Sequence, residues 1–162
     1  MPDLNPSTAN PRSSEITARQ GAMRLLAHAT MTEISDGLTA VGYAGEAADL
    51  RAPEEGLVML RGRIGGDGAP FNFGEATVTR CVVQLTSGEI GLSYTLGRDR
   101  DRARLAALCD ALWQTGTHRA AIQRHVLAPV RARIEREREI AARRAAATRV
   151  DFFTLVRGED QA

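Results

Sequence analysis

Lysine is absent from this chain, so all 21 of its basic residues are arginine. That excludes a lysine Schiff base and the lysine with which a P-loop grips nucleotide phosphates. Arginine is no ordinary proton-transfer base at neutral pH, yet its planar fork clamps phosphate and carboxylate well. Histidine is scarce too: His28, His118 and His125 are the three in the chain. The last two stand seven apart, about 10.5 Å along a helix, too far to share a metal ion without a bend. Neither an HExxH nor a Ser-His-Asp order is present. The two cysteines, Cys81 and Cys109, form no CxxC pair and read as buried free thiols. A zinc or iron–sulfur site needs three or four ligands, so no metal site and no cofactor of its own is expected for this chain.

No apolar run approaches the roughly 20 residues of a membrane span. The first 14 residues, MPDLNPSTANPRSS, hold three prolines and no apolar stretch. They lack the apolar region of a signal peptide, and read as a disordered lead-in to a cytoplasmic protein. Residues 15–162 are expected to form a single domain, the size of one ordinary fold. Net charge is +1, which gives no global attraction to nucleic acid. Locally, residues 119–149 hold nine arginines against three glutamates, but the Arg131–Arg149 helix has no aromatic ring on which a base could stack.

Periodicity sets the expected elements. Ser13–Ala29 has helical spacing with Ser14 as its cap, and a short helix follows over Thr32–Val41, stopped by Gly42. Then come short stretches rich in β-branched and large apolar residues: GEAADLRAP, GLVMLRGRI, ATVTRCVVQL and IGLSYTLG. In the last, Ile90, Leu92, Tyr94 and Leu96 alternate with Gly91, Ser93 and Thr95. Short links between strands predict an antiparallel meander of about four. Asp99 or Asp101 can cap the next helix, whose Leu105, Leu108, Cys109, Leu112 and Trp113 form an apolar face. Pro129 breaks the following run or opens a fresh helix at its first turn. Arg131–Arg149 offers little to a core but is a strong helix former laced with i,i+4 ion pairs such as Arg133–Glu137. The expected class is α+β: a sheet flanked by helices, with a long Arg-rich C-terminal helix.

The glycine-rich GGDGAPFNFG (Gly65–Gly74) is neither a GxxxxGK[ST] nor part of a βαβ unit, and as a strand connection it needs no ligand. Its Phe71 and Phe73 stand two apart and can lie over a sheet edge or meet another protein. Arg61 and Arg63 alternate along one strand, Arg80 interrupts an apolar strand, and Arg98 follows a strand end. Such arginines are either paired with a carboxylate or await an anionic ligand. The segment RVDFFTLVRG (Arg149–Gly158) sets two of the four phenylalanines side by side after a charged helix. It is expected to be a docking segment, with Asp151 and Arg157 fixing register and Phe152 and Phe153 filling apolar pockets, one ring against this chain's own sheet or helices and the other in a partner.

The stretches RQGAMRLLAHA, GLVMLRGRI through LAALCDALWQ, and RVDFFTLVRGED together resemble the PhnG family, small subunits of the bacterial carbon–phosphorus lyase system. The motifs in order are GEATVTR (Gly74–Arg80), GxxGxSYxLGRD (Gly88–Asp99) and the RVDFFTxVRG segment. The family has a lysine after LGRD, where this chain has Arg100. The resemblance implies a core complex with PhnH, PhnI and PhnJ subunits and an early step in which a phosphonate displaces adenine from ATP. The product of that step is a ribose 1-phosphonate 5-triphosphate. It implies an assembly role, since the glycosyl transfer is ascribed mainly to PhnI and the radical step to PhnJ. The alternative is that Arg61, Arg63, Arg80 and Arg98 supply anion-binding groups to the triphosphate or phosphonate site. No membrane or nucleic-acid partner is expected.

Overall fold

The computed structural model describes residues 11–65 and 67–148. The first helix, α1 (Pro11–His28), already contains Ser14, so that residue is inside the helix and not at its start. Residues 1–10 of the expected lead-in lie outside the described residues. Helix α2 (Met31–Val41) is closed by a capping box: Thr30 Oγ1 accepts from the Glu33 N–H, and the Glu33 carboxylate accepts from the Thr30 N–H. Gly42 ends it in the left-handed conformation, at φ 68°.

The sheet has three antiparallel strands, not about four, in the order β1-β2-β3. GEAADLRAP and GLVMLRGRI, separated in the sequence by turn-like Pro53-Glu54-Glu55-Gly56, belong to one strand, β1 (Ala47–Gly62). The reason is that β1 is an edge strand, where the N–H missing from Pro53 costs no ladder bond. Register shifts between Asp49 and Arg51 and between Arg51 and Glu54 absorb the irregularity, and pairing resumes at Glu54–Arg80. Strand β2 (Phe71–Leu85) turns through Thr86–Glu89 into β3 (Ile90–Leu96). Gly88, at φ 103°, donates to the Leu85 carbonyl in that turn.

Helix α3 (Arg100–Gln114) starts where the Asp99 carboxylate accepts from the Arg102 N–H at 2.9 Å. It lies on one face of the sheet and meets it through small residues. Ala103, Ala106, Ala107 and Ala111 are buried, whereas Leu105 and Leu108 are only half-buried. Opposite them stand Gly91, Ser93 and Thr95, and a Cβ on Gly91 would overlap the Ala107 carbonyl oxygen and the Ala111 nitrogen. Cys81 and Cys109 are buried free thiols in this layer, as expected.

A helical run continues through α4 (Arg119–Ile122), one π-helical turn (Gln123–Leu127) and α5 (Ala128–Ala147). Pro129 stands in the first turn of α5. With no N–H and a ring that crowds the carbonyl four residues back, it fits the wide turn, across which Ala128 N–H donates to Gln123 O. Gly37 lets α2 approach this turn: a Cβ there would stand 2.8 Å from the His125 carbonyl oxygen. Beyond Arg131 the helix is largely exposed and carries the expected Arg133–Glu137 ion pair at 3.0 Å.

Candidate partner interface

Strand β3 presents its large apolar side chains away from α3. Ile90, Leu92, Tyr94 and Leu96 are 44%, 38%, 48% and 61% exposed. Cross-strand pairing sets them beside Gln84, Val82, Arg80 and Val78 respectively. Arg80 lies mid-face, its Nε 2.6 Å from Glu54 Oε1, a carboxylate oxygen it shares with Arg51 at 3.3 Å. Both groups are part-exposed, and a pair of that kind is worth little to stability.

The β1–β2 hairpin also reaches past the helix. Arg100, the first residue of α3, bonds Glu55 at 3.0 Å, and Arg104 bonds Asp49 at 2.9 Å. Residues 57–62 and their partners on β2 extend beyond that clamp as a two-stranded arm. Leu57 and Phe73 on it are 64% and 60% exposed, and Met59, Ile64 and Phe71 are exposed as well. The Phe71 and Phe73 rings touch, with centroids 6.2 Å apart. An isolated two-stranded ribbon is marginal in water, and this one leaves its large apolar side chains exposed.

The free edge of β3 is held by four side chains that sequence reasoning missed. Asp110 is fully buried and accepts from Arg19 Nε at 3.1 Å, Arg19 Nη2 at 2.7 Å and the Leu92 N–H at 3.0 Å. Arg19 also donates to the Ile90 carbonyl, as does Gln114. Arg102 Nη2 donates to the Leu96 carbonyl at 2.6 Å. Pairing with Asp110 raises the Arg19 pKa further, so the guanidinium stays charged in this cluster. The available signal was a carboxylate, Asp110, set among Ala106, Ala107 and Ala111 on α3.

Of the arginines singled out from sequence, Arg80 is ion-paired, and Arg61 and Arg98 are exposed with no ion pair among the described residues. Arg63 donates to the Gly68 carbonyl at 3.1 Å. Arg61 and Arg63 line an open cleft with Gly62 and Pro70 at the arm's tip, while Arg80 and Arg98 are not among its lining residues. Asp151, Phe152, Phe153 and Arg157 lie outside the described residues.

The family model described as phosphonate metabolism protein PhnG matches residues 17–158. The chain belongs to the PhnG family. A curated relative from Rhizobium meliloti (strain 1021) is 52% identical over 145 residues, spanning 90% of this chain and 92% of its own length. That relative is named alpha-D-ribose 1-methylphosphonate 5-triphosphate synthase subunit PhnG. The PhnG match covers the arm, the sheet and the helices that carry the apolar surface.

Proposed function

We propose that this chain is an assembly subunit of an alpha-D-ribose 1-methylphosphonate 5-triphosphate synthase complex in phosphonate catabolism. It joins subunits of the PhnI, PhnH and PhnJ type in the cytoplasm. It supports the displacement of adenine from ATP by a phosphonate without supplying the reacting groups. One observation carries the reading: the 52% identity to a named synthase subunit, over nearly the full length of both chains. The apolar arm and outer sheet face supply the physical means, since their exposed side chains offer area that a partner subunit can bury. Leu57, Met59 and Phe73 each stand to gain roughly 1.5–3 kcal/mol on full burial.

The test is co-expression of the other three subunits with and without this chain, followed by adenine release from ATP in the presence of methylphosphonate. The expected result is an intact, active complex only when the chain is present, and no adenine release from the chain alone. Full activity of the other subunits without it, or turnover by the chain alone that a point substitution abolishes, would overturn the proposal.

A second reading rests on Arg61 and Arg98, which have no carboxylate partner among the described residues. Arginines of that kind are available to a triphosphate or phosphonate. On that reading Arg61→Ala and Arg98→Ala leave the complex assembled and raise KM for ATP. Unchanged KM in both variants removes it.

A further inference from the structure

Strand β3 is an edge strand, and which of its backbone groups face outward follows from its bonds. The Leu92 N–H reaches Asp110 and the Leu96 carbonyl reaches Arg102, both away from β2, while Gly97 N–H reaches Thr77 of β2. By alternation, Gly91, Ser93 and Thr95 bond β2, whereas Leu92, Tyr94 and Leu96 turn their N–H and C=O to the free edge. Side chains occupy both ends of this edge: Arg19, Gln114 and Asp110 at Ile90–Leu92, and Arg102 at the Leu96 carbonyl. Between them the Leu92 carbonyl, the Tyr94 N–H and C=O and the Leu96 N–H bond no group among the described residues.

Beside this opening runs a groove of about 320 Å³ between the edge and α1, lined by Gln20, Met23, Arg24 and Ala27. Met23 and Ala27 give it an apolar wall, and Arg24 is exposed with no ion pair among the described residues. Open edge groups beside an apolar wall match a strand added in extended form, its alternate side chains facing the wall. An exposed arginine at the rim selects a carboxylate.

We propose that the β3 edge between Leu92 and Leu96 takes up an extended segment of another subunit of the assembly. That segment is apolar at alternate positions and carries an acidic residue to meet Arg24. The inference rests on the assembly reading above and adds the mode of attachment.

Tyr94→Pro tests it. Proline removes the outward N–H, while the bonds to β2 come from Gly91, Ser93 and Thr95. Tyr94→Ala serves as control, removing the side chain but keeping the edge groups. Each variant is co-expressed with the partner subunits, and amide hydrogen exchange is followed at residues 92–96 in the parent, free and assembled. Expected are an at least hundredfold slowing of exchange at Tyr94 and Leu96 on assembly, loss of assembly for Tyr94→Pro, and retention for Tyr94→Ala. Arg24→Glu should weaken assembly at least tenfold. If Tyr94→Pro fails to fold, the parent's exchange and Arg24→Glu decide the matter. A folded Tyr94→Pro chain that assembles like the parent, or edge amides that exchange as freely in the complex as out of it, overturns the edge and leaves the assembly reading standing. A parent chain that does not assemble overturns both. A parent that dimerises by itself through this edge, with Tyr94→Pro monomeric, replaces the partner segment by a second copy and contradicts the proposal.

Discussion

The two faces of the sheet are built on opposite principles. Towards α3 it presents Gly91, Ser93, Thr95, Thr79 and Cys81, all buried. Their polar groups are satisfied locally: Ser93 Oγ donates to the Ala103 carbonyl at 2.6 Å and Thr79 Oγ1 to the Gly97 carbonyl at 2.7 Å. Away from α3 it presents Ile90, Leu92, Tyr94 and Leu96, larger and more apolar, yet exposed. The small face lets a helix lined with alanine sit close to the strands. Among the described residues, the large side chains of β3 stay exposed. Alternation along β3 therefore separates two faces correctly while giving no sign of which one this chain buries for itself. In a subunit, the more apolar face can belong to the partner.

If the helix side is the structural face, substitutions there must be costly. Gly91→Ala should have the largest effect, because its Cβ would overlap backbone atoms of Ala107 and Ala111, which cannot rotate away. The expected outcome is an insoluble or unfolded chain, read from soluble yield and circular dichroism. A Gly91→Ala chain with the parent's melting temperature would break the comparison.

Next in size is Arg19→Ala, which strips the guanidinium from the fully buried Asp110 carboxylate. Removing one partner of a buried pair costs about 3–5 kcal/mol. In urea unfolding, the double variant Arg19→Ala with Asp110→Ala should be more stable than Arg19→Ala alone. Equal or lower stability of the double variant would show that the buried charge is not what makes the pair matter.

A smaller effect is confined to alkaline solution. Burial pushes the Cys109 thiol up to about 12, above its ordinary value of 9.0. Below pH 9 the thiol is protonated in both folded and unfolded chains and stability does not depend on it. From there to about 12 only the unfolded thiol ionises, so stability falls as pH rises, by about 1.4 kcal/mol per pH unit. Cys109→Ala should flatten the slope of unfolding free energy between pH 9.5 and pH 11, roughly by that amount. Some slope remains, because burial also raises the Cys81 pKa. An unchanged slope would place Cys109 outside the sealed layer.

Much of the fold was legible in the sequence. The capping residues Asp99 and Gly42, the helical periods and the place of Pro129 in a first helical turn all emerged from local chemistry. What was not legible depends on neighbours distant in sequence. The turn-like Pro53–Gly56 stretch stays extended because β1 lies at a sheet edge. Beside Gly91 and Ser93, α3 sets Ala103, Ala107 and Ala111, while Leu105 and Leu108 stay half-buried, because those strand positions admit only small contacts. Asp110 and Arg19 meet across 91 positions, which no local pattern encodes. Phe71 and Phe73 were legible as candidates for a partner surface, but the arm that carries Leu57 and Met59 beside them was hidden by the assumption of a turn.

The central claim, that the exposed apolar surface exists for a partner, is tested most directly with Leu57→Asp and Phe73→Asp combined on the arm. Both side chains are more than half exposed, so the isolated variant should unfold within about 1 kcal/mol of the parent. When co-expressed with the other subunits, it should fail to co-purify with them while the parent succeeds. A double variant that is as stable as the parent and assembles as well would contradict the account.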